Sequence, residues 1–224
     1  MTFAVAVPSA STREQLLDAT SALMIERNSV SVSLSEIAQK SGLNSALISY
    51  YFGSKAGLFT ALLERDTCKA FAGLERLLQS DMGAVDKLRR HVGGIIHTYY
   101  RYPYMNRLIG ALAAETASDA ARFISERFSK PLAEAHRTIL EQGRSEGVFR
   151  EIDPMLFYFS LIGACDHLFH ARHSLKFAFG IDEIDDQLRQ RYTDHLCTIL
   201  LDSVLAEPAC AAPQSTGRNA HQAA

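Results

Sequence analysis

The sequence predicts an all-α protein, a three-helix helix-turn-helix unit followed by a longer helical body. Three observations carry this. Apolar side chains recur at helical spacing, first as Leu16, Leu17, Leu23 and Met24 with Thr20 on the same face. Two short helical patterns flank Gly42, the residue type that most readily takes the left-handed turn between helices. No run alternates apolar and polar residues with period two between turn signals.

Residues 1–11 are small and weakly polar and predict a disordered tail. The first helix begins at Thr12, capped by Ser11 or Thr12, and ends at Asn28-Ser29. Ser33-Leu34-Ser35-Glu36 spells a capping box, in which the serine hydroxyl accepts from the third helical amide while the glutamate reaches back. The second helix turns Leu34, Ile37 and Ala38 inward. Leu43 then fills the gap after the glycine turn. Asn44 or Ser45 caps a third helix to about Tyr51, with Leu47, Ile48 and Tyr51 inward. Gly53-Ser54 breaks the chain, and Ser54 caps a long fourth helix carrying Leu58, Phe59, Leu62, Leu63, Phe71, Leu74, Leu77 and Leu78. Helical segments near 84–101, 104–116, 119–146, 154–177 and 183–206 follow, with Asp153 capping and Pro154 in a first turn. The helix-turn-helix unit is assigned 12–58, the body 59–206, and a second disordered tail 207–224.

Composition narrows the chemistry. Of 224 residues 47% are apolar, enough for a core, and the formal net charge is -2. Residues 1–80 hold as many acidic as basic side chains. Any affinity for DNA therefore comes from a few placed cations, helix N-termini and backbone amides. Cys68, Cys165, Cys197 and Cys210 are far apart with no C-x-x-C spacing, which argues against a disulfide framework or zinc site and for reduced thiols. Residues 1–10 lack the pattern of a secretory signal, and no long apolar run spans a membrane, so a cytoplasmic location is expected. No G-x-S-x-G, H-E-x-x-H or phosphate loop is present, so no catalytic residues, enzyme activity or cofactor are assigned.

In a helix-turn-helix the second helix enters the major groove with its N-terminal residues on base edges. Asn44, Ser45, Ala46, Ser49 and Tyr50 are the candidates for base contact. Lys55, at the start of the fourth helix, suits a phosphate, as do Ser33, Ser35 and Arg13 near other helix starts.

The string Ile37-Ala38 to Gly42, Leu43, Tyr50-Tyr51-Phe52 and Ser54-Lys55 to Leu58-Phe59 resembles the DNA-binding domain of the TetR/AcrR family of transcriptional regulators over residues 12–63. The resemblance implies an all-α homodimer and a ligand-responsive regulator, a repressor, on a near-palindromic operator. It also implies an effector pocket among the middle helices and a dimer face from the last two long helices. Leu47 and Ser49 stand where the family often has Thr and Tyr, so base preference does not carry over. Gly53 stands where Pro is usual. Gly57 costs about 1 kcal/mol in a helix relative to Ala and suggests a softened hinge.

Within the body, His97, Tyr100, Tyr104, Asp166, His167 and His170 are the candidate effector residues, polar anchors among apolar walls. Leu161, Gly163, Ala164, Leu168 and Ala171 permit close helix approach, at a dimer interface or within the chain. His167, His170 and His173 lie three residues apart, but no carboxylate at helical spacing completes a ligand set, so no metal is assigned. His136 has no assigned role. Two other readings remain open at this point: an all-α enzyme with a helical corner, and an architectural DNA-binding protein without an effector.

Overall fold

The computed structural model describes residues 11–114 and 118–206, so the two predicted tails, Ser11 apart, lie outside the described residues. Helix α1, Thr12–Glu26, starts where Ser11 Oγ accepts from Glu14 N at 3.3 Å. The apolar face read from the sequence is buried, with Leu16, Leu17 and Met24 fully enclosed. Helix α2, Leu34–Ser41, carries both halves of the capping box. Glu36 also receives Arg27 at 2.6 Å. Bonds from the Ser33 hydroxyl and backbone, then from Arg27, hold its carboxyl down at about 2. At the far end Gly42 has φ 70°, and the amides of Gly42 and Leu43 bond back to Gln39 O and Ala38 O. That pair of bonds closes the helix and sets the turn.

Helix α3, Ala46–Phe52, is started by Asn44, whose Oδ1 accepts from Ala46 N at 2.8 Å. Ile48 is fully buried and Phe52 packs on the core. Tyr51 departs from expectation: it is 41% exposed and packs edge-on to Tyr50 at 5.0 Å. A short helix buries one stripe, and Ile48 and Phe52, four apart, occupy it. Helix α4, Lys55–Leu78, runs unbroken from the end of α3 through the molecule.

Helices α5 (Ala84–Arg101), α6 (Met105–Ala114), α7 (Ser118–Ile124), α8 (Lys130–Ser145), α9 (Pro154–His170), α10 (Arg172–Phe179) and α11 (Asp186–Val204) complete the described fold. α5 folds back on α4, with Lys87 Nζ bonded to Leu78 O at 2.9 Å. It also packs on α8, α9 and α11, so it is the central helix of the body. Two expected helices are interrupted. A π-helical turn, Ser125–Ser129, separates α7 from α8. The segment read as 154–177 breaks at Ala171, where ψ reaches 41°, without Gly or Pro to announce it. Asp153 caps α9 as expected, accepting from Met155 N and Leu156 N. The bridge Phe149–Leu205 is the only β pairing among the described residues.

Gly57 has a steric role that the sequence did not reveal. A Cβ there would lie 2.0 Å from the Phe52 carbonyl oxygen, so the close α3–α4 corner requires glycine. Gly57→Ala is therefore expected to destabilise the protein by about 1–3 kcal/mol, the usual range for overpacking. Urea denaturation measures this, and an unchanged midpoint would mean that the corner shifts without strain.

Candidate nucleic-acid interface and ligand cavity

The open face of α3 presents all five candidates for base contact. Asn44, Ser45, Ala46, Ser49 and Tyr50 are exposed, Tyr50 to 79%. Asn44 has committed its oxygen to the Ala46 amide, which leaves its NH2 group as the donor available to a base edge.

The cations of this region divide into paired and unpaired groups. Lys40 is held by Glu26 and Arg27 by Glu36, each at 2.6 Å. Arg13 contacts Glu14 at 3.2 Å and lies 5.3 Å over the Phe52 ring. Lys55 lies 5.3 Å over the Phe59 ring and has no carboxylate partner among the described residues. Phe52 stands three residues before Lys55, so the two cations border one end of α3. Ser33 serves the capping box expected of it. Its hydroxyl accepts from Glu36 N and donates to Glu36 Oε2 at 2.7 Å, with Ser35 Oγ 3.0 Å away. The cap takes the Ser33 proton, and the Glu36 charge stands beside it.

A cavity of about 1160 Å³ lies where α1 meets the body. Ser21, Ala22 and Ile25 of α1 form one wall, Phe71, Leu74 and Leu77 of α4 a second, and His91, Ile95, Thr98 and Tyr99 of α5 a third. The distal apolar residues of α4 therefore line a space, whereas Leu58, Phe59, Leu62 and Leu63 fill a core.

The predicted effector residues are scattered relative to this cavity. His97 is in its wall. Tyr100 lines a smaller space of about 230 Å³, packing 6.1 Å from Phe169 and under Arg189 at 5.4 Å. Tyr104 is wholly buried and structural. Asp166 is half-buried, receives Asn106 Nδ2 at 3.3 Å, and leaves Oδ1 without a partner. His167 and His170 are exposed, 6.4 Å apart, outside both spaces.

A buried polar network ties α1 to the body beside the cavity. The Tyr104 hydroxyl donates to the Asp66 carboxylate and bonds Ser21 Oγ at 2.9 Å. Arg65 bonds the other Asp66 oxygen at 2.9 Å and reaches Asp18 of α1 at 2.7 Å. Burial pushes the Asp66 carboxyl up, against the pull of Tyr104 and Arg65. Burial likewise pushes the Tyr104 hydroxyl well up, and the Asp66 charge adds to it. Further along, Arg107 bonds both the backbone and side-chain oxygens of Asn28, whose φ of 47° turns the chain out of α1.

His91 and His136 are the functional candidates that sequence reasoning missed. They pack edge to face at 4.9 Å, with His136 only 1% exposed. His91 Nε2 and both ring nitrogens of His136 are buried without a hydrogen-bond partner. Burial holds His91 down at about 4, and burial followed by the His91 charge holds His136 at about 3. Both rings are neutral near pH 7. The available signal was His91 lying within the buried stripe Leu88, Val92, Ile95.

Comparison with known proteins agrees with this layout. Residues 16–62 match the family model "Bacterial regulatory proteins, tetR family", and residues 81–209 match "Tetracyclin repressor-like, C-terminal domain". The transcriptional repressor NicS of Pseudomonas putida is 23% identical over 193 residues, covering 85% of this chain and 91% of the relative. The regulator BetI 2 of Chromohalobacter salexigens is 33% identical over 87 residues, 38% of this chain and 40% of the relative. Among solved structures, the ketosteroid regulator KstR2 of Mycobacterium tuberculosis aligns with TM-score 0.67 at 20% identity, over 91% of this chain and all of the other. FadR from Bacillus subtilis, in complex with stearoyl-CoA, aligns with TM-score 0.64 at 17% identity, over 84% and 97%.

The histidine pair sets a pH dependence. Both folded-state values lie below the ordinary 6.5, so the unfolded chain takes up protons first as pH falls. Stability is expected to be full above pH 6.5 and to decline toward pH 4, by at most about 1.4 kcal/mol per pH unit for each ring. Denaturation at several pH values tests this, and His136→Phe should flatten the acid limb.

Proposed function

The chain belongs to the tetR family of bacterial regulatory proteins, and on that footing we propose that it is a repressor released from DNA by a small molecule. Residues 12–58 read a near-palindromic operator, and 59–206 hold the effector and the dimer contact. The observation that carries this reading is the shared wall of the cavity. A molecule lodged there touches α1 of the DNA-reading unit and α4 and α5 of the body at once. Its affinity then depends on how these helices are arranged, which is the condition for release. The protein acts in the cytoplasm, and among the described residues no helix is long and apolar enough to cross a membrane.

On DNA, α3 enters the major groove with Asn44, Ser45, Ala46, Ser49 and Tyr50 toward the bases. Lys55 and Arg13 hold phosphates, and Ser35 adds a hydroxyl beside Ser33. Two such units of a dimer would sit about 34–36 Å apart, one helical turn of DNA.

The dimer forms through α9 and α11. Leu156 and Phe159 on α9 are 59% and 67% exposed, and Ile199 on α11 is 48% exposed. Gly163, also exposed, lets a partner helix come close. Of the residues expected there, Leu161 is fully buried within the chain, and Ala164 and Leu168 pack against its core. His167 and His170 are exposed on the same helix and outside both spaces, which supports a place on the dimer face rather than at the effector.

Two measurements test the reading. In gel shifts on the DNA upstream of its own gene, Tyr50→Ala and Lys55→Ala should each weaken binding about tenfold or more. The slope of log K against log salt should stay near -4, with few phosphates neutralised. Undiminished binding by both variants sinks the assignment of α3. Separately, Phe159→Glu should convert the dimer to a monomer in light scattering and abolish operator binding. A dimer that persists would place the interface elsewhere.

A further inference from the structure

Charge is distributed unevenly along the large cavity. At the end beside α1 the wall holds Glu14, Asp18 and Asp66, with Lys69 one turn further along α4 and Arg101 at the end of α5, and Arg65 is committed to all three carboxylates, at 3.5, 2.7 and 2.9 Å. At the opposite end, where α4 and α5 approach their connecting turn, the wall holds Arg76, Arg90 and His91. The Lys87–Leu78 bond fixes the register there, so the turn of α5 that carries Arg90 and His91 runs beside the turn of α4 that carries Arg76. No carboxylate lines that end, and among the described residues neither guanidinium has an ion-pair partner. Phe71, Leu74, Ile95 and Tyr99 make the stretch between apolar.

His91 adds an independent observation. Its ring is only 5% exposed, yet Nε2 has no hydrogen-bond partner. A buried polar atom left unpaired is destabilising and calls for an explanation. A bound oxygen supplies one.

We propose that the cavity binds an amphipathic anion, with its carboxylate or phosphate held by Arg76, Arg90 and His91 and an extended apolar body lying toward Phe71 and Tyr99. This rests on reading the cavity as the effector site. An anionic group at the α1 end would compete with three carboxylates for Arg65, Lys69 and Arg101. A cation at the far end would face two unpaired guanidinium groups. A neutral hydrocarbon would leave His91 unpaired. The volume, about 1160 Å³, exceeds what a single ring fills.

Isothermal titration calorimetry on the full-length protein tests the class. The probes are decanoate below its micelle concentration, decan-1-ol, decylammonium and benzoate. Decanoate should bind one per chain, and about tenfold or more tighter than each of the others, as expected for charge-assisted bonds and a long apolar contact. Arg76→Gln with Arg90→Gln should weaken decanoate about tenfold and leave decan-1-ol unchanged. His91→Phe should weaken decanoate without lowering the melting temperature. Equal binding of the alcohol, the ammonium or benzoate overturns the proposal, as does decanoate affinity that ignores the double variant. A parallel gel shift separates this inference from the one beneath it. Arginine-dependent binding without DNA release leaves the anion site standing and overturns the effector reading. Release by an uncharged molecule in place of an anion overturns the anion site alone.

Discussion

The Asp66 carboxylate constrains much of this molecule. Its side chain is 1% exposed in the middle of α4, and a buried charge is tolerated only when its lone pairs are met. The partners come from separate parts of the chain: Arg65 beside it, and Tyr104 from the turn before α6. Tyr104 also engages Ser21 of α1, and Arg65 also engages Asp18 of α1. The position of the first helix against the body is thus set by directional bonds in addition to apolar contact. Sliding α1 along α4 breaks these bonds, so displacement carries a cost beyond lost apolar contact.

Helix α4 gives that constraint its reach. Its first half is fixed by Leu58, Phe59, Leu62 and Leu63 in the core shared with α1, and Gly57 lets it start hard against the end of α3. Its second half presents Phe71, Leu74 and Leu77 to the cavity. One rigid rod therefore touches both the DNA-reading unit and the ligand space. The cavity edge at Ser21, Ala22 and Ile25 supplies a shorter route that bypasses the rod. Charge follows the same division. The reading unit ties up two of its four cations internally, through Arg27–Glu36 and Lys40–Glu26, which leaves few for phosphates.

The parts legible in the sequence were local. The capping box at Ser33–Glu36, the left-handed Gly42 and the buried stripe of α1 each follow from residues within one or two turns of one another. Tyr51 was misread because Tyr51 and Phe52 compete for the one stripe that Ile48 begins, and only packing decides between them. The network around Asp66 joins residues 83 and 38 positions apart, which no periodicity reveals. His91 and His136, likewise distant in sequence, come together only in the fold, whereas His167 and His170 drew notice by spacing and face outward. The break at Ala171 has no glycine or proline, so it is imposed by tertiary packing against the local pattern.

A ligand that binds two arrangements equally well shifts neither, however tightly it binds. A pocket enclosed by body helices alone could bias the DNA-reading unit only through α4. In this chain α1 contributes a wall, and the Arg65 and Tyr104 bonds that hold α1 in place run beside that wall. A molecule seated against Ser21, Ala22 and Ile25 loses contacts whenever α1 leaves its place, and gains from whichever placement fits it. The unpaired Nε2 of His91 acts in the same sense from the α5 wall: a ligand oxygen that meets it gains a bond whose strength depends on where α5 stands, so occupancy and the arrangement of α1, α4 and α5 are energetically linked. On the proposed reading, the differential affinity that release demands arises at the junction itself, and no long chain of intermediates is required.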